Sequence, residues 1–231
     1  MMKASHFLLI LAGLSLAACA GQQSETNGNA DGMPAQQTHD ETPASPQRHI
    51  VFFGNSLTAA YGLDPSQGYV ALLQQRLDSL GLNWRAINAG LSGETSAGGK
   101  ARIDWVLRQR VDVFVLELGG NDALRGISPE VTFANLDTIL MKVKERYPEA
   151  RLIVAGMEAP PNMGPSFVKQ FREIYPRLAQ KHGAALIPFF LEGVGGVPEL
   201  NLPDRIHPNE AGQKILLENV WRVLYPILEE T

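Results

Sequence analysis

Five short apolar runs separated by longer amphipathic stretches constrain this chain more than any other feature. The runs are HIVFF (49–53), WRAIN (84–88), VDVFVLEL (111–118), RLIVAG (151–156) and AALIPF (184–189). Between them lie YVALLQQRLDSLG, SAGGKARIDWVLRQR, PEVTFANLDTILMKVKERY and SFVKQFREIYPRLAQKHG, and NEAGQKILLENVWRVLYPIL follows the last run. In the first of these, Val70, Leu72, Leu73, Leu77 and Leu80 recur at helical spacing and Gly81 ends the pattern. Strands alternating with helices at this spacing predict βαβ units and an α/β fold, with helices on both faces of a mainly parallel five-stranded sheet. The runs are continuous rather than alternating in polarity, as in strands buried on both sides. Residues 48–231 are long enough for one domain with a substantial core, and no internal repeat or second linker divides them.

The residues before the first run read differently. Residues 1–18 carry Lys3, then an apolar segment from Phe7 to Ala18, the layout of a secretory signal rather than a spanning helix. Leu16-Ala17-Ala18-Cys19 resembles the bacterial lipobox, in which the cysteine becomes the lipidated first residue. Cys19 is the only cysteine in the chain, so it has no disulfide partner. An ordinary signal peptide with an incidental cysteine is the competing reading. Ala20 follows Cys19, which by resemblance to known lipoproteins favours the outer membrane, facing the periplasm. Residues 19–47 are rich in Gln, Ser, Thr, Asn, Gly and Pro and read as a disordered tether. The formal net charge of the chain is −4, and Glu25, Asp31, Asp40 and Glu41 of the tether carry much of it. The rest is close to neutral, which gives no electrostatic case for nucleic acid.

In an open parallel sheet, ligands sit beyond the carboxyl ends of the strands. Gly54-Asn55-Ser56 follows the first run, a loop with Gly93 the second, and GGNDALRG with Asn121 the third. The fifth is followed by a longer loop ending in NLPDRIHPNEAG, with Asp204 and His207. Each has an ordinary alternative: Ser56 a turn serine, Gly93 a loop glycine, Asn121 a helix cap, Asp204 an exposed turn acid. Together they are what ester hydrolysis by an activated serine requires. A serine hydroxyl is a weak nucleophile and needs a base within hydrogen-bond reach. Of the five histidines, only His207 lies in a strand-end loop beside an acid; the others are His6, His39, His49 and His182. Asp204, three residues earlier, can orient its imidazole and stabilise the imidazolium. The Ser56 and Gly93 amides and the Asn121 side chain are candidate donors to a developing oxyanion.

The blocks GNSLTAAYG, GLSGETSAGG, ELGGNDALRG and DRIHPN resemble, in order and spacing, those of the SGNH-hydrolase (GDSL esterase/lipase) superfamily. The nearest likeness is to its bacterial arylesterase and multifunctional acyl-thioesterase/lysophospholipase subgroup. That resemblance implies a flavodoxin-like three-layer α/β/α sandwich, with Ser56 as nucleophile, His207 as base and Asp204 as its orienter. It also implies Ser56, Gly93 and Asn121 as the oxyanion hole, and no metal or cofactor. H-E-x-x-H, a cysteine cluster, a P-loop and G-x-S-x-G are all missing from the sequence. One residue departs from the pattern: Asn55 stands where the family usually has Asp. It lies outside the expected triad, so activity is expected to survive, with an altered pH dependence.

The leading expectation is therefore a carboxylic ester hydrolase, acting on acyl or aryl esters, lysophospholipids or thioesters. The loops 123–128 and 158–165 would shape an acyl pocket. Met157, Met163, Phe167, Phe189, Phe190 and Leu191 are candidates for its surface or, equally, for the core. The competing class is a non-catalytic envelope lipoprotein that keeps the fold as a binding module, for which Asn55 is the only support.

Overall fold

A computed structural model describes residues 46–230. The signal, Cys19 and residues 19–45 of the tether lie outside the described residues. Strands β1 (Arg48–Gly54), β2 (Trp84–Gly90), β3 (Val113–Glu117), β4 (Arg151–Ala155) and β5 (Ala185–Ile187) form one sheet. Its order is β2-β1-β3-β4-β5 and every pairing is parallel. The helices are α1 (Tyr69–Ser79), α2 (Ser96–Val106), α3 (Gly120–Leu124), α4 (Pro129–Arg146), α5 (Pro165–His182) and α6 (Glu210–Glu229). Helix α1 packs beside α6, while α2, α4 and α5 pack in series. This is the three-layer α/β/α arrangement expected from the sequence.

The local sequence explains most boundaries. Ile50 to Phe53 are fully buried, and all of β3 is buried, so both strands need apolar residues at consecutive positions. Strand β2 lies at the edge of the sheet and is less buried, with Trp84 buried but Arg85 and Asn88 exposed. Strand β5 is shorter than its apolar run because Pro188, which has no N–H for the ladder, follows Ile187. Helix α6 begins where the Asn209 side chain accepts from the Ala211 and Gly212 amides at 3.0 and 3.1 Å. Ser128 accepts from Val131 N at the start of α4.

The order β2-β1-β3 puts the first crossovers on either side of β1, so the sheet's topological switch point lies between β1 and β3. The loops leaving β1 and β3 diverge there and open a cleft. Gly54, the last residue of β1, pairs in register with Glu117, the last residue of β3. A Cβ on Gly54 would lie 2.1 Å from Thr58 Oγ1 and 2.5 Å from Glu117 Oε2, so only glycine fits this close approach.

Candidate active site

Ser56 is in the turn after β1 and is 9% exposed. His207 Nε2 lies 3.0 Å from its Oγ, and His207 Nδ1 lies 2.7 Å from Asp204 Oδ2. Asp204 also accepts from the Ile206 and His207 amides at 2.9 and 3.0 Å. These bonds, the His207 side chain first, hold its carboxyl down to about 2. An acid of that strength is ionised at neutral pH and can only accept. Nδ1 therefore carries the proton, and Nε2 is left to accept from Ser56 Oγ. The Tyr61 ring packs against the imidazole with centroids 4.5 Å apart. His182 makes a separate pair with Asp137 at 2.7 Å, and no serine joins that pair among the described residues.

Ser56, Asn121 and His207 line one cavity of about 560 Å³. Its apolar surface comes from Leu124, Met157, Pro160, Leu191 and Ile206 among others. Of the apolar residues expected there, Met157 and Leu191 line it, while Phe190 is fully buried in the core against Tyr69. Met163, Phe167 and Phe189 are not part of its lining.

Asn121 is on α3, a five-residue helix that the sequence pattern presents as loop. Gly119 starts it at a φ of +115°, where an added Cβ would lie 2.4 Å from the Tyr175 hydroxyl. Next to Asn121, the fully buried Asp122 accepts from Ser96 N and Ser96 Oγ at 2.8 and 2.5 Å. Asn121 Nδ2 donates one hydrogen to Glu94 O at 2.9 Å, leaving its second free. Glu94 is itself fixed by Arg102 Nε at 2.6 Å. Gly93, with a φ of +80°, is exposed beside Glu94 and does not line the cavity. Neither the Ser56 nor the Gly93 amide donates to a protein acceptor among the described residues. Three donors are thus available at this edge: two amides and half of an amide side chain. Among the described residues no group of three or more His, Cys, Asp and Glu side chains is placed to hold a metal ion.

The sequence reading missed Glu117. This carboxylate, 1% exposed, lies beneath the Ser56 turn. It accepts from Asn55 N at 3.2 Å, Asn55 Nδ2 at 2.8 Å and Thr58 Oγ1 at 2.8 Å. Asn55 Oδ1 in turn accepts from Leu57 N at 2.9 Å. Asn55 therefore bridges a carboxylate and an amide, using both ends of its side chain. Burial pushes the Glu117 carboxyl up from 4.5 to about 7, against the opposing pull of the Thr58 and Asn55 bonds. A folded state that holds the proton more tightly than the unfolded chain loses stability as pH rises through that window. Glu117→Gln removes the titration. Between pH 4.5 and 7 the stability difference should move against the wild type by on the order of 3 kcal/mol. Urea midpoints across that range measure it, and a flat difference would contradict the burial-driven shift.

Asn55→Asp tests the same contact from the other side. Two carboxyls in that geometry cannot both ionise, so the pair must hold one proton. The variant is expected to remain active near neutral pH. Its activity should fall at alkaline pH, where the wild type's does not, as a kcat/KM profile would show.

A model of the GDSL-like lipase/acylhydrolase family matches residues 52–215, which span the Ser56 turn, β3, α3 and the His207 loop. The chain belongs to this family. Esterase TesA of Pseudomonas aeruginosa is 47% identical over 180 residues, covering 78% of this chain and 89% of that protein. Thioesterase 1/protease 1/lysophospholipase L1 of Escherichia coli is 36% identical over 180 residues, 78% of this chain and 84% of that protein. Among solved structures, the psychrotrophic esterase EstA from Pseudoalteromonas sp., inhibited by monoethylphosphonate, superposes with a TM-score of 0.74. It is 32% identical and the match covers 79% of this chain and 99% of that one. This family member is accordingly a serine hydrolase of carboxylic esters, in the same fold that the sequence implied.

Proposed function

We propose that the hydrolase cleaves acyl esters through an acyl-enzyme on Ser56. The observation that carries this reading is the unbroken chain from Ser56 Oγ through both nitrogens of His207 to Asp204, at the wall of an apolar cavity. Ser56 Oγ attacks the carbonyl carbon as its proton passes to His207 Nε2. Negative charge develops on the carbonyl oxygen, toward the Ser56 and Gly93 amides and the free hydrogen of Asn121 Nδ2. Collapse breaks the bond to the alcohol oxygen, which takes the proton from the imidazolium. Water then attacks the acyl-serine with His207 again as base, releasing the acid and restoring the serine. Asp204 stays ionised throughout, fixing the tautomer and balancing the imidazolium.

The cavity is large enough for an acyl chain of moderate length, and its apolar wall suits one. Relatives named as esterase, thioesterase and lysophospholipase support acyl esters and thioesters as the substrate class. Turnover of p-nitrophenyl esters of increasing chain length tests the reading and measures the usable depth of the cavity. No turnover of any member would refute it and favour the binding-module alternative. Against that alternative, Asn55 Nδ2 donates to Glu117 at 2.8 Å, and although Asn55 Oδ1 lies 3.4 Å from Ser56 Oγ, the shorter contact of that hydroxyl, at 3.0 Å, is to His207 Nε2.

For location, we propose a lipid anchor on Cys19 holding the enzyme at the outer membrane, facing the periplasm. The lone cysteine behind an apolar segment and the polar residues 19–47 support it. Cys19→Ser should convert a membrane-sedimenting protein into a soluble or uncleaved one. A wild type that fractionates as soluble, with an unmodified N-terminus elsewhere, would overturn the anchor.

A further inference from the structure

Tyr61 is exposed, at 51%, yet its ring lies against the His207 imidazole, with centroids 4.5 Å apart and planes tilted by 42°. Its hydroxyl makes no hydrogen bond among the described residues, so no polar contact of the side chain draws the ring there. The backbone places it. Tyr61 N donates to Ser56 O at 3.0 Å, a 6→1 bond of the kind that closes many helix ends with the preceding residue left-handed. That residue is Ala60, at a φ of +57°. Among the described non-glycine residues only Arg205, at +59°, shares the region, and it lies in the turn that carries His207. Both turns that bring the two rings together thus hold an unfavourable backbone, a kind of strain that gathers at functional sites. The turns also pack closely: a Cβ on Gly62 would lie 2.5 Å from Leu202 Cδ1, and Leu202 N donates to His207 O at 2.7 Å.

We propose that Tyr61 is a positioning residue for the base: its ring keeps the imidazole aimed at Ser56 and favours the imidazolium formed during acyl transfer. This rests on the ester-hydrolase reading above. The other two holds on the imidazole, from Asp204 Oδ2 and Ser56 Oγ, both lie at its edge and leave its faces unsupported. The Asp204 side chain is 37% exposed, so its bond competes with water. Tyr61 supplies a contact to a face, and the 6→1 bond mounts that contact on the nucleophile's own turn. His207 lines the cavity and Tyr61 does not, so the phenol ring meets the base and not the space for substrate. A π face within about 6 Å attracts a cation more strongly than a neutral ring. The imidazole is neutral before attack and charged in the transition state, so the contact strengthens during the reaction and acts on kcat.

The test uses the full-length protein and one soluble short-chain p-nitrophenyl ester. Tyr61→Leu keeps an apolar side chain but removes the π face. It should lower kcat about tenfold with KM nearly unchanged. Tyr61→Phe should keep most of the wild-type kcat, because the ring and not the hydroxyl touches His207. The side chain is exposed and outside the hydrophobic core, so both variants should melt close to the wild type. A second readout is the rate at which a fluorophosphonate labels Ser56, with His207 present and in His207→Ala. Tyr61→Leu should slow labelling about tenfold in the first background and not at all in the second. The proposal is overturned if Tyr61→Leu spares kcat, raises KM instead, or slows labelling equally in both backgrounds. It is also overturned if Tyr61→Phe is as slow as Tyr61→Leu, which would assign the effect to the hydroxyl. Failure of the underlying reading looks different: the wild type would then neither turn over the ester nor label at Ser56.

Discussion

Ser56→Ala and His207→Ala should each lower kcat by about four to six orders of magnitude, and the double variant should lose little more. Nucleophile and base act as one unit. Without the imidazole, Ser56 Oγ has no acceptor 3.0 Å away for its proton, and without the hydroxyl the imidazole has nothing to deprotonate. Substrate binding depends on the apolar cavity, so KM should change far less than kcat. Asp204→Asn should cost about 10⁴ in kcat by favouring the wrong tautomer of His207. Neither Ser56 nor His207 is part of the hydrophobic core, so all these variants should melt close to the wild type. Steady-state kinetics on one soluble ester decides the matter. Losses that simply add in the double variant would mean that Ser56 and His207 do not act together.

Asn121→Ala should lower kcat by about 10²–10³, or roughly 3–4 kcal/mol, with little change in KM. One hydrogen of Asn121 Nδ2 is spent on Glu94 O, so a single donor faces the cavity. The charge it meets exists only in the transition state, which is why kcat and not KM should respond. Asn121→Asp should be worse. It replaces a donor with an anion, and it also faces the Glu94 carbonyl with a second acceptor. A raised KM with kcat spared would make Asn121 a ground-state contact, or merely the clamp between α3 and the Gly93 loop. Glu94→Gln separates these roles, because it loosens the Arg102 anchor of that loop while leaving the Asn121 amide in place.

The sheet was readable because β1 and β3 are buried on both faces and so must be apolar at every position. Ser56, His207, Asp204 and Asn121 were readable because chemistry restricts the residue types that can act together, and the sheet delivers strand ends to one edge. What escaped notice shares a cause. Glu117 ends an apolar run, and an acid there looks like the limit of a strand rather than a buried partner of the next turn. Only the register with Gly54 brings it under Asn55. Helix α3, five residues entered through Gly119 and Gly120, is too short to show a helical period. Phe190 stayed open between pocket surface and core because aromatic residues near a strand end fit either place, and its contact with Tyr69 decides for the core. The φ of Arg205 cannot be inferred from residue type, since arginine is not a residue expected there.

The central claim is that Ser56 becomes covalently acylated. Its most direct test is the intact mass of the protein after treatment with a monoalkyl fluorophosphonate, followed by peptide mapping. One adduct is expected, on Ser56, formed with parallel loss of esterase activity. It should be missing in Ser56→Ala and much slower to form in His207→Ala. An adduct on another residue, or full inactivation with Ser56 unmodified, would contradict the account.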